Sequence, residues 1–322
     1  MKIQNVYKLL LANLQKCFSF IDWMDFIFKK IIFCFGFSLA WTPRFILSGF
    51  CKILALVILI LLTKRRILLL ENLKSALPSF SDSKITLIAF YSVCRSIEQG
   101  LLVFAWPHLN KQKLVQMFNL DINNLNIIRN ANSKSNGVIW LIPHFCHVDA
   151  LSLLSSYIGV DHGIHALYRP LKNKIINNYD RESRERFGFT TIDRKEGGML
   201  KTLKVLKKGK TLAMLFDQNA GAAGTKLPFM QRECSCTTLP DILYQKYIPN
   251  ILFVYTRRTG FWSSSIEVEE MAEMSEGKLV IQKANDWLEH KLREDKVLRE
   301  SWLWMHQRWK PGVGQPKKGK IR

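Results

Sequence analysis

Between Ile139 and Leu154 the chain reads IWLIPHFCHVDALSLL, where a proline ends an apolar run and two histidines, a cysteine and an aspartate follow within six residues. Three chemistries fit those residue types: a histidine base with an orienting acid, a metal site, or an ordinary strand-to-helix turn. His144 and Asp149 stand in the spacing H-x4-D. On one continuous helix, five residues turn about 140° beyond a full circle, so the two side chains would face apart. They meet only if His144 lies in the turn and Asp149 in the first helical turn. Pro143 ending the strand and Asp149 preceding an apolar helical run allow that geometry. A carboxylate bonded to one imidazole nitrogen fixes the tautomer and raises the basicity of the other, which makes a histidine a general base for a hydroxyl.

The neighbouring residues have plainer readings. His147 is a second donor or, more simply, a packed side chain, and Cys146 as a nucleophile lacks a suitably spaced base beyond it. Zinc held by His144, Cys146 and His147 would crowd three ligands into four residues with no distal set, so no metal is expected. The pair in CSC, Cys234 and Cys236, has one intervening residue and no second pair follows. The H-x4-D spacing recurs in HKLRED, His290 to Asp295. That stretch is expected to be a continuous charged helix with no strand before it, and it reads as a solvated face.

The elements that must position this turn alternate. Expected strands are Val138–Ile142, Ile164–Tyr168, Phe189–Ile192, Thr211–Phe216 and Ile251–Thr256. Helical stretches are expected near Ala150–Tyr157, Lys172–Phe187, Gly198–Lys208 and Leu239–Tyr247. Short apolar runs alternating with amphipathic ones predict an α/β fold with a mostly parallel central sheet flanked by helices. Arg65 onward predicts a helix broken at Pro78 and a second one begun by SFSDS.

Ahead of that domain, Ile31–Leu62 carries only Arg44 and Lys52 as charges, with basic residues on both flanks. Such a segment predicts an N-terminal hydrophobic region that anchors to a membrane as a tilted helix or shallow hairpin bent at WTPR, basic flanks among anionic headgroups. A single true span or a buried helical pair are the alternatives. The organisation expected is an anchor over 1–62, a main domain over 63–310 and a basic tail over 311–322. Forty-seven basic against twenty-six acidic residues leave +21, so partners should be anionic: nucleic acid, anionic lipid or an acidic carrier protein. The aromatic residues sit in the anchor and in WLWMHQRW rather than along a basic groove, which argues against nucleic acid. Seven scattered cysteines suggest reduced thiols.

Four further stretches follow PHFCHVD in order: ALYRP, GFTTIDRKEGG, LAMLFDQNAGAAGTKLPFMQRECSCTTLP and WLWMHQRWK. Together they resemble the bacterial late acyltransferases of lipid A biosynthesis, the lauroyl/myristoyl transferase family, within the larger glycerolipid-acyltransferase-like group. The resemblance runs from about Trp41 to Lys310 and includes RRILLLENLKSALPSFS. It implies an enzyme without a cofactor at the cytoplasmic face of the bacterial inner membrane. Its donor would be an acyl carrier protein thioester and its acceptor a hydroxyl of an anionic glycolipid, a lipid A precursor; a lysophospholipid or another glycolipid is the alternative acceptor. On this resemblance His144 is the base and Asp149 its orienting acid. Arg169 and Arg194, just past strand ends, would bind phosphate or phosphopantetheine oxygens. Asp217 and Gln218 would contribute to substrate binding, with Asp217 either holding sugar or holding structure. Many lipid A members carry glutamate at the position of Asp149, and NAGAAGTK lacks the PEGTR-like loop of the phospholipid enzymes.

Overall fold

Short runs rich in Val, Ile, Leu and aromatic residues become strands where the alternation predicts them. The computed structural model describes residues 23–133, 136–159, 163–195, 197–272, 274 and 277–310. Its strands are β1 (Phe118–Leu120), β2 (Val138–Ile142), β3 (Ile164–Tyr168), β4 (Thr190–Asp193), β5 (Thr211–Leu215), β6 (Thr225–Phe229), β7 (Arg232–Cys236), β8 (Asn250–Gly260) and β9 (Ser263–Glu270). Seven of them form one sheet in the order β1-β9-β8-β2-β5-β3-β4. Every neighbouring pair in it is parallel except β8 with β9, and β6 with β7 makes a separate antiparallel hairpin.

The five expected strands are present, with ends shifted by a residue or two and β8 longer than its apolar run. Four strands escape the sequence reading. β1 has three residues, and β9 (SSSIEVEE) buries only alternate positions, so its polar face masks the apolar one. The hairpin β6–β7 is built from mixed sequence. By contrast β2 lies mid-sheet and is buried along its whole length, as an uninterrupted apolar strand should be. Val138, Trp140 and Ile142 enter one core with Ala213, Leu252 and Val254, and Ile139 and Leu141 enter the other with Leu212, Met214 and Phe253.

The helices include α1, seen over 23–41, then α2 (Arg44–Leu61), α3 (Thr63–Ala76), α4 (Asp82–Ala105), α5 (Lys111–Met117) and α6 (Ile122–Ser133). Ser81 caps α4 through its hydroxyl, which accepts from the Lys84 amide, the stop and start expected around Pro78. After β2 comes a 3-10 turn, Val148–Leu153, leading into α7 (Leu154–Ile158); the expected helix at 150–157 is therefore tighter at its start. Further on lie α8 (Lys174–Glu185), α9 (Gly198–Lys207), α10 (Leu239–Tyr247), α11 (Val280–Glu294) and α12 (Lys296–Ser301).

The predicted bend at WTPR is found at Thr42–Pro43, between α1 and α2. α2 buries Leu47, Cys51 and Ala55 and exposes Phe45, Phe50, Ile53, Leu56, Ile60 and Leu61. Among the described residues, two helices, Arg44–Leu61 and Asp82–His108, are long and apolar enough to cross a membrane by length and composition. The second carries the wholly buried Glu98 and packs inside the fold, so it behaves as a core helix. The start of the expected anchor, Cys17 and the expected basic tail over 311–322 lie outside the described residues.

Candidate active site

His144 follows β2 and Asp217 follows β5, and those strands are parallel neighbours with Ile142 opposite Leu215. Two residues further along the same register, His144 and Asp217 come face to face at the carboxyl end of the sheet, where α/β folds place their sites. The His144 Nδ1–H donates to Asp217 Oδ1 at 2.5 Å, and the His144 backbone N–H donates to Oδ2 at 2.8 Å. The Trp302 indole N–H also donates to Oδ2, at 2.7 Å. Burial alone would push the Asp217 carboxyl up, yet the facing imidazole and these donors hold it down at about 2. The result is a buried carboxylate that fixes the imidazole tautomer and leaves Nε2 with its lone pair. The Gln218 side-chain amide donates to that nitrogen at 2.8 Å.

The expected pairing of His144 with Asp149 is therefore replaced. His144 does lie in the turn and Asp149 in the first turn after it, but no hydrogen bond joins the two among the described residues. Asp149 Oδ1 accepts from Arg184 Nε at 2.7 Å, and Oδ2 is held by the Gln99 amide. Arg184 reaches back to Asp180 at 3.2 Å. Burial raises Asp180 to about 6, against the pull of Arg184 and with Asp149 pushing the same way as burial. The register of two strands outweighs the local spacing, because parallel neighbours bring His144 and Asp217 together without any turn having to close.

Asp217 is thus beneath the imidazole rather than on a substrate surface, and both its oxygens are taken by the protein. Gln218 is exposed at the site. Arg169, one residue past β3, and Arg194, one residue past β4, are both exposed and make no ion pair among the described residues. Both residues follow strands at the same end of the sheet as His144. Sequence reasoning missed Trp302, Gln99 and Arg184. Trp302 lies in WLWMHQRWK, a stretch already singled out, and an indole N–H buried in a loop needs an acceptor.

An apolar pocket opens beside Asp149 and Arg184, with about 550 Å³ of empty volume including its mouth. Ile142, Leu151, Ala166, Phe189 and Ala213 form its walls.

His147 is wholly buried in a left-handed conformation, φ 67°. Its Nδ1 is 2.7 Å from the Ser264 hydroxyl and its Nε2 3.0 Å from Glu98. Glu98 also accepts from Arg95, Arg258 and the Trp262 amide. The side chains of Glu98, Cys146 and His147 come within 4.8 Å of one another. Two guanidinium groups already neutralise that carboxylate, so the cluster is a structural ion-pair network rather than a cation site. Burial pushes the Cys146 thiol well up, which disqualifies it as a nucleophile at neutral pH.

The second H-x4-D stretch differs from expectation in one respect: the helix is not continuous. α11 ends before Asp295, which caps α12 by accepting from Val297 and Leu298 and pairs with Arg257 at 2.7 Å. Asp295 is spent on those contacts and leaves His290 without it.

Residues 15–311 match the family model described as Bacterial lipid A biosynthesis acyltransferase. Comparison with curated proteins gives no match.

Proposed function

The chain belongs to the bacterial lipid A biosynthesis acyltransferase family, and from that premise we propose that it moves a fatty acyl group from an acyl carrier protein thioester to a hydroxyl of a lipid A precursor, working at the cytoplasmic face of the bacterial inner membrane. The observation that carries the reading is His144 held through Nδ1 by a buried carboxylate while Nε2 faces an exposed amide. In the reaction the acceptor hydroxyl displaces the Gln218 amide from Nε2. Nε2 takes the hydroxyl proton as that oxygen attacks the thioester carbonyl carbon. The carbon–oxygen bond forms, the carbon–sulfur bond breaks, and the proton passes to the departing thiolate. No acyl-enzyme is required, so no nucleophilic serine or cysteine is needed.

Asp217 orients the imidazole and stabilises the imidazolium that forms. Asp149 and Arg184 hold the mouth of the apolar pocket, which takes the hydrocarbon chain. Arg169 and Arg194 bind phosphate oxygens of acceptor or carrier. Residues 1–62 serve as the anchor and 63–310 as the acyltransferase domain.

The test is an acceptor choice. Solubilised protein receives labelled acyl carrier protein thioester with a lipid A precursor in one reaction and a lysophospholipid in another, wild type beside His144→Ala. The expected outcome is transfer to the lipid A precursor alone, reduced by about two to four orders of magnitude in the variant, while membrane pelleting is unchanged. Transfer to the lysophospholipid instead keeps the chemistry and changes the acceptor. Activity of His144→Ala above about a tenth of wild type, far outside the loss typical of a removed base, sinks the role given to His144.

A further inference from the structure

Arg308 is 1% exposed, and among the described residues no carboxylate forms an ion pair with it. One terminal nitrogen donates to the Gln218 carbonyl at 2.5 Å and to the Ser235 carbonyl at 3.1 Å. The other donates to Asn285 Oδ1 at 3.1 Å and to the sulfur of Cys236 at 3.2 Å. The Phe229 ring stands 5.5 Å from the guanidinium carbon. Carbonyls and a ring face offer partial charge only, and a buried cation without a counter-ion is strongly unfavourable.

Among the described residues, Cys236 is the one group bonded to Arg308 that can carry a full negative charge. Its surroundings fit a thiolate: the sulfur also accepts from the Asn285 side-chain amide at 3.2 Å, and the Cys234 sulfur lies 3.5 Å away. Two donors, a guanidinium and an amide, converge on one buried sulfur, the Cys234 thiol can supply a third, and the sulfur stands 3.8 Å from the Cys234 carbonyl. The charged or titratable groups around the pair are Cys234, with Glu233 beside it, and His306.

We propose that Cys236 is a buried thiolate, the counter-ion of Arg308, and that the ion pair is a positioning device fixing the Gln218 backbone beside His144, from which the side-chain amide covers Nε2 and swings aside for the acceptor. The chain of contacts runs from β7 and α11 through Arg308 to the Gln218 carbonyl, and from the Gln218 amide to Nε2. The positioning half rests on the reading of His144 as base; the thiolate half does not. In accord with the geometry, the Cys234 thiol and then Arg308 and Asn285 pull Cys236 down to about 6 against burial, while Cys234 is raised.

The experiment is a pH titration of thiolate ultraviolet absorbance on the full-length, detergent-solubilised protein, with near-ultraviolet circular dichroism as the folding check. Wild type is expected to show a thiolate at neutral pH that disappears on acidification. The signal should be absent from Cys236→Ser and from Arg308→Met, and kept in Arg308→Lys. A folded wild type without thiolate absorbance at neutral pH, or a signal surviving in Cys236→Ser, overturns the proposal; the wild-type titration decides even if a variant fails to fold. For positioning, Cys236→Ser should lower kcat about tenfold to a hundredfold, the scale of loss from misplacing a reacting group, with KM little changed. Cys236→Asp, which returns a negative charge, should recover part of that loss. A kcat equal to wild type in Cys236→Ser overturns the positioning role. Failure of the wild type to transfer acyl groups at all would sink the proposed function, while the thiolate titration would still read out independently.

Discussion

Two aspartates compete for the role of partner to His144, and the hydrogen bonds separate them. Asp217 meets both the ring and the backbone of His144, whereas Asp149 is committed to Arg184 and Gln99. Asp217→Asn should therefore cost about two to four orders of magnitude in kcat, because an amide at Nδ1 favours the wrong tautomer. Asp149→Asn should lose less and act mainly on KM, through the mouth of the apolar pocket; steady-state kinetics of the two variants check the contrast. Stability should carry the same signature. Asp217 is held at about 2 against an ordinary 3.8, so folding favours its ionised form. That contribution is present above about pH 4 and is lost as the pH falls toward 2. Acid unfolding midpoints of wild type and Asp217→Asn should thus converge at the low end of that window.

Elements far apart in sequence are tied to the site by buried polar contacts rather than by apolar packing alone. Asn72 on α3 is 3% exposed and donates to the carbonyls of Trp304 at 2.9 Å and His306 at 3.1 Å. Through this one side chain α3 fixes the closing segment that brings Trp302 to Asp217 and Arg308 to Gln218. The loop after β5 is fixed as tightly: a Cβ at Gly224 would lie 2.2 Å from the Ser235 hydroxyl and 2.6 Å from the Cys236 carbonyl, so only glycine lets this loop close over β7. Asn72→Leu should cost about 1–3 kcal/mol, the scale of leaving buried carbonyls unsatisfied. It should also lower kcat although it lies in a different element from His144. A thermal melt with parallel kinetics tests this, and full activity in a destabilised variant would show that α3 does not reach the site.

Over the whole molecule the charge and the apolar surface divide the labour. Among the described residues, α1 and α2 carry most of the exposed large aromatic and aliphatic side chains, while the remaining domain buries most of its apolar side chains in two cores on either side of the sheet. Each large apolar side chain withdrawn from water contributes about 1.5–3 kcal/mol. Replacing Ile53 and Ile60 by aspartate on the exposed face of α2 should accordingly reduce pelleting with anionic lipid vesicles by more than about tenfold, without altering the circular dichroism of the domain. Unchanged pelleting would remove α2 from the membrane contact.

The α/β class, five of the strands, the bend at WTPR and the place of His144 in a strand-to-helix turn were legible in the sequence. Each rests on short-range causes: proline ending a strand, apolar periodicity, a serine cap. The partner of His144 was not. Asp217 is 73 residues away, and only the pairing of β2 with β5, set by which strands share a core, brings it to Nδ1. Arg184 and Trp302, which hold the two aspartates, are likewise distant in the chain. The strand–turn–helix context singled out His144, and the sheet register set the carboxylate beside it.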